Sequence, residues 1–136
     1  TEVNLGHRVS HETGGRALEA KWYVHPLVDF YVDFPPGPLG IGSDHEIKPV
    51  VQTRGDLKTL SLSVTDSCRD RLAAAFHWPD PQSIATAAEI AARNNLAYKK
   101  IREWSIAEGY GNKYDEFLRE TRRIRAQMRA QRTGRL

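Results

Sequence analysis

The feature that most constrains the fold is a tight corner, His77-Trp78-Pro79-Asp80-Pro81, set between two apolar-periodic runs in Ser63–Ala92. Pro79 disfavours helical geometry at Trp78, so a helix that begins near Ser63 has to end there. Asp80 then caps a second helix, and Pro81 takes its first position, where a missing N–H costs nothing. Ser63 and Asp66 have the spacing of a capping box, with the hydroxyl on the amide three residues on and the carboxylate back on the cap amide. Cys68, Leu72, Ala75 and Phe76 recur at helical spacing and predict one buried stripe, with Arg69, Asp70 and Arg71 projecting from the rest. Ile84, Ala87, Ala88 and Ala91 predict the second. The expectation is two consecutive helices, Ser63–Trp78 and Asp80–Asn94, meeting at a chemically rich corner.

Upstream the pattern changes from helical to alternating. Arg16–Val24 reads as extended, and Leu27–Phe34 as the best strand, with Val28, Phe30, Val32 and Phe34 on one face and Asp29, Tyr31 and Asp33 on the other. Pro35-Pro36-Gly37-Pro38 ends it. Ile47–Thr53 and Leu57–Leu62 read as further strands around an Arg54-Gly55-Asp56 turn, with Leu60 and Leu62 inward, and Leu27–Phe34 is expected to pair with one of them. Thr1–His7 is too short to type, and Ser10–Gly15 is a polar turn. Leu39–Ser43 is glycine-rich but lacks the lysine and the following helix of a phosphate loop.

Beyond the corner, Ala97–Glu108 predicts a third helix, with Ile101, Trp104 and Ala107 or Glu108 on successive turns and Gly109 as its stop. Asn112 is expected to cap a fourth, through about Gln131, whose narrow stripe is Tyr114, Phe117, Thr121, Ile124 and Met128. Strands first and helices second predict an α+β domain: a small mixed or antiparallel sheet followed by a four-helix C-terminal half. At 136 residues the chain is long enough for one domain, with a strand-rich part (1–62), a helical part (63–118) and a basic helical tail (119–136).

Charge is uneven. Residues 119–135 hold seven arginines against Glu120, a local net of +6 within an overall +3, so the body is mildly acidic. Arg122, Arg125, Arg129 and Arg132 follow i, i+3, i+7, i+10 and share a helix face suited to phosphates, an acidic protein partner or a second copy of the chain. No run approaches a membrane span and no signal-peptide pattern is present, which predicts a cytoplasmic protein. The single cysteine, Cys68, excludes an intrachain disulfide and lies on a core stripe. Five histidines are scattered without cysteine partners, and the one i, i+4 pair, His7 and His11, lies in a poor helix segment, which argues against a histidine metal site. Asp29 and Asp33 on one strand face would lie roughly 13 Å apart, too far to chelate one ion together.

The combination VDFYVDFPPGPL, then LSLSVTDSCRDRLAAAFHWPDPQSIATAAEIA, then IREWSIAEGYGNKYDEFL resembles the later part of small nucleotidyltransferase-fold proteins. That family includes minimal nucleotidyltransferases and the nucleotidyltransferase-like toxins of toxin–antitoxin and abortive-infection systems. The resemblance spans about Leu5 to Leu118 and is strongest in the Thr-Asp…Arg-Asp-Arg-Leu-Ala-Ala helix and the His-Trp-x-Asp corner. It implies Asp29, with Asp33 as rival, as a third metal carboxylate. It implies Arg71, with Arg69 beside it, as the phosphate-facing base, and His77, Trp78 and Asp80 as the corner. Mg²⁺ would come with a bound nucleotide. The family's Asp-x-Asp pair is absent from the 136 residues. The expectation is that the chain begins after the catalytic half of the fold, and that a glycine turn with Asp-x-Asp upstream would restore an enzyme. The predicted role is therefore nucleotide or RNA binding, or service as a partner subunit without catalysis. The alternative is an interaction module that works through its arginine helix.

Overall fold

The computed structural model describes residues 22–24, 27, 29, 31–33 and 38–134. The chain divides into two compact units, Thr1–Leu39 and Gly40–Leu136. In the first, β1 (Trp22–Val24) and β2 (Tyr31–Asp33) pair antiparallel, with Trp22 opposite Asp33 and Val24 opposite Tyr31. This corrects the expected strand in two ways. β2 pairs with β1 rather than with the later strands, and Asp29 falls in the connection between them, exposed, instead of sharing a strand face with Asp33. The pairing is with the nearest upstream strand, which the alternation of LVDFYVDF does not reveal. The expectations for residues 1–21, for Val28, Phe30 and Phe34 on the strand face, and for Pro35-Pro36-Gly37 lie outside the described residues.

In the second unit, β3 (Val50–Arg54) and β4 (Leu57–Ser61) form an antiparallel hairpin in the register Val51 opposite Leu60 and Thr53 opposite Lys58. Gly55 makes the two-residue turn possible at φ 60°, a conformation that costs a glycine little. The predicted inward Leu60 is instead 66 % exposed, and only Leu62, beyond the strand, packs partly on the core. The described helices bury their apolar faces on one another rather than on the hairpin.

Four helices follow: α1 (Val64–His77), α2 (Pro81–Arg93), α3 (Tyr98–Ala107) and α4 (Gly111–Thr133). The α+β class, with a small antiparallel sheet ahead of four helices, is as expected. Both apolar stripes of the corner helices are buried residue for residue. α2 packs against α1 and α4, and α3 against α4. Phe76 stacks on Trp104 at 5.4 Å and on Tyr110 at 4.7 Å, joining α1 to α3 and to the start of α4, each pair worth about 0.5–1.5 kcal/mol beyond burial. The α4 stripe reaches into the predicted tail, where Thr121 and Ile124 are buried and Met128 is partly so. None of the described helices is long and apolar enough to cross a membrane.

The caps differ in detail. Ser63 accepts from the Asp66 amide at 3.0 Å, and Asp80 accepts from the Gln82 amide at 3.1 Å, as expected for the two corner helices. The Asp66 carboxylate, however, is taken by Ser63 Oγ, Arg69 and Lys100, because a buried guanidinium binds it more strongly than an amide does. Asn112 is not the cap of α4: the helix starts at Gly111, two residues earlier than such a cap requires, behind Tyr110 and without a side-chain cap. Gly109 ends α3 at φ 86°, as predicted. Ser105 joins Ile101 and Trp104 in the buried face of α3, whereas Ala107 is exposed.

Candidate functional site

A cavity of about 620 Å³ opens beside the corner in the second unit. Arg71, Ala74 and His77 of α1, the corner's Trp78, the Gly40–Ser43 turn and Glu108 form its walls. α1 presents Arg71, Ala74 and His77 along one side because they are spaced three residues apart. Trp78 leaves the helix in an extended conformation forced by Pro79, so its indole is 65 % exposed at the rim.

The opposite wall is held in place at three points. Ile41 and Asp44 bracket a two-residue turn, with backbone bonds of 2.8 and 3.1 Å and Gly42 at φ 58°. Ile41 is 2 % exposed and anchors the turn in the core. Asp44 accepts from Arg69 at 2.6 Å. Ser43 donates both its amide (2.6 Å) and its hydroxyl to one oxygen of Glu108. The second Glu108 oxygen lies 3.5 Å from His77 Nε2. A Cβ on Gly42 would come within 2.6–2.8 Å of the Glu108 carboxylate, so only glycine admits it so close to the backbone.

The electrostatics separate two groups of charges. Burial pushes the Glu108 carboxyl up, but the two Ser43 donors and the neighbouring His77 outweigh it, leaving the acid below its ordinary value. Asp44 is held down chiefly by the Arg69 bond. Asp66 is raised by burial, and bonds from Arg69, Lys100 and Ser63 bring it below normal. Burial pushes the Cys68 thiol up to about 12, which suits a core residue and not a nucleophile.

The expected site residues fall in different places. Arg71, His77 and Trp78 come together around the cavity. Arg69 does not join them: it is 1 % exposed, paired to Asp44 and Asp66, and stacked 4.9 Å over Trp104. The expectation that it projects to solvent beside Arg71 is corrected, because an arginine two positions from Arg71 turns about 200° round the helix. Asp80 caps α2 and binds Ser83 Oγ at 2.5 Å. Asp29 and Asp33 belong to the first unit. Among the four tail arginines, Arg122, Arg129 and Arg132 are exposed, but Arg125 is half-buried and donates to Ala91 O and Tyr98 Oη, both at 2.8 Å. The shared basic face is therefore three arginines, with Arg125 serving as a cap on one carbonyl in the last turn of α2, that of Ala91.

Sequence reading missed Ser43 and Glu108. One signal pointed to the acid: Glu108 ends α3, where the macrodipole disfavours negative charge, so a compensating partner was needed. No group of three or more His, Cys, Asp or Glu side chains that could hold a metal ion occurs among the described residues. Compared with protein-family models, curated proteins and solved structures, the chain matches none.

Proposed function

We propose that this protein is a nucleotidyltransferase-fold relative that binds a nucleotide, or the nucleotides of an RNA, at the corner cavity without transferring it alone. The observation that carries this reading is that an exposed indole and an exposed guanidinium line one cavity. Trp78 offers a face for base stacking, worth about 1–3 kcal/mol per base. Arg71 offers phosphate donors, and its present partner Asp70, at 2.5 Å, is equally exposed, so the exchange for phosphate costs little. Magnesium would arrive with the triphosphate rather than on a carboxylate cluster, since no group of three or more His, Cys, Asp or Glu side chains converges among the described residues. Two-metal transfer needs converging carboxylates, and the sequence has no Asp-x-Asp pair to supply them.

Titration calorimetry with ATP, with and without magnesium, tests the reading. Arg71→Ala should weaken binding about tenfold or more, the value of one charge-assisted contact. Trp78→Ala should remove the stacking contribution and leave the salt dependence. Absence of heat both at millimolar ATP and with a short single-stranded RNA in the native protein refutes it.

A second reading rests on Arg122, Arg129 and Arg132, which are exposed and have no ion-pair partner among the described residues. If α4 contacts a nucleic-acid backbone, about three phosphates are neutralised. Log K should then fall against log salt with a slope of about −2 to −3. A slope near zero, with a change of oligomeric state when Arg122, Arg129 and Arg132 are replaced by alanine, would assign the helix to protein contact.

A further inference from the structure

We infer that the Gly42–Ser43 turn is a subsite for a phosphoryl group, and that the chain keeps it closed with the carboxylate of Glu108. The subsite lies in the cavity assigned above and rests on that assignment only for its nucleotide source.

Three observations make the turn an anion cradle. Gly42 at φ 58° takes a left-handed conformation that glycine adopts at little cost, and the next backbone amide, that of Ser43, donates to the carboxylate. The amide and hydroxyl of Ser43 converge on one oxygen, a pairing that phosphate oxygens accept as readily as carboxylate oxygens do. The missing Cβ of Gly42 creates the space in which the charged group rests. A fourth observation concerns the surroundings: His77 stands by the second oxygen, and Arg71 lines the same cavity.

The occupant is an internal stand-in. The Glu108 side chain is 7 % exposed yet sits on the C-cap of α3, where a helix end disfavours negative charge. Its hold depends on the Ser43 donors and on His77. A phosphoryl group offers the same donors more acceptor oxygens and more charge, and it can engage Arg71 as well. It binds the cradle by displacing the Glu108 side chain towards solvent, so the acid competes with the ligand and sets a threshold for occupancy. The glycine turn thus works without the lysine of a phosphate loop, because Arg71 and His77 supply the cations.

Amide and indole NMR signals during titration with inorganic phosphate test this directly. In Glu108→Ala protein the Gly42 and Ser43 amides should respond to phosphate at concentrations at least about tenfold lower than in the native protein. Adding Ser43→Ala to that variant should weaken the response about tenfold. Glu108→Gln keeps the side chain's shape without its charge. It should give an intermediate response, and it serves if the alanine variant does not fold. ATP in place of phosphate identifies the source: a tighter response that also moves the Trp78 indole signal assigns the phosphoryl group to a nucleotide, and equal responses assign it to free phosphate. If ATP moves Trp78 alone, the nucleotide reading stands and the cradle fails. Folded Glu108 variants whose Gly42 and Ser43 amides ignore phosphate overturn the inference. So does native protein that binds phosphate at those amides as tightly as the variants do, since the carboxylate would then not compete.

Discussion

Replacing Arg69 with methionine isolates the buried ion network from the packing around it. Methionine keeps the alkyl stem and can lie against Trp104, so the loss falls on the guanidinium. That group binds Asp66 at 2.8 Å and Asp44 at 2.6 Å, and lies over the Trp104 ring. Breaking a buried ion pair by removing one partner costs about 3–5 kcal/mol. Asp66 would keep Lys100 at 3.0 Å and Ser63 at 2.9 Å, and the Asp44 side chain is already 30 % exposed, so the lower end applies, about 3 kcal/mol. For a unit of this size the thermal midpoint should fall by about 12–24 °C. The sign with pH follows from the depressed carboxyls. Asp44 and Asp66 stabilise the fold above their unfolded values near ~4, and that contribution is lost as pH falls through their lower folded values. The variant lacks the largest cause of the Asp44 shift, so the gap between it and native protein should narrow below about pH 4. Urea unfolding followed by circular dichroism at pH 7 and at pH 3.5 measures both quantities. A cost below about 1 kcal/mol at pH 7, or a gap that widens in acid, would refute the reasoning.

Two further outcomes follow from burial. Cys68, with its thiol pushed up to about 12, should resist alkylation in native protein at pH 8 and react only at the rate of unfolding, a difference that mass spectrometry of iodoacetamide-treated samples resolves. Leu60→Thr should change stability by less than about 0.5 kcal/mol, since the side chain is exposed on a strand that favours β-branched residues; a loss of about 2 kcal/mol in chemical unfolding would mean that the hairpin is covered.

The helical half was legible because its signals are local. Proline, cap and 3.6-residue periodicity act within one or two turns, and the corner, both stripes and Gly109 follow from them. The sheets were less legible because alternation says which residues share a face but not which strand lies alongside. Leu60 reads as inward by pattern, yet it is exposed because the described helices pack on one another and not on the hairpin. Arg69 and Arg71 look equivalent as charges in one tripeptide, yet helix rotation sends one to Asp66 and the other to the cavity. Ser43 and Glu108 are 65 residues apart, and their bond depends on where α3 ends relative to the turn. Neither residue type carries a motif that announces such a partner.

The three-point fastening of Ile41, Ser43 and Asp44 has a consequence for the order in which the second unit opens. Loops ordinarily exchange their amide hydrogens first and ladders last. Here the turn is tied to α1 through Asp44–Arg69 and to α3 through Ser43–Glu108, and its isoleucine sits in the core, so releasing it requires the helices to part. The adjoining β3–β4 hairpin is exposed along almost its whole length, and two strands alone are marginal in water. Local opening should therefore run against secondary structure. The ladder from Val50 to Ser61 would trade its hydrogens for deuterium in small, frequent openings, while the Asp44 amide would wait for the cooperative unfolding of the helices.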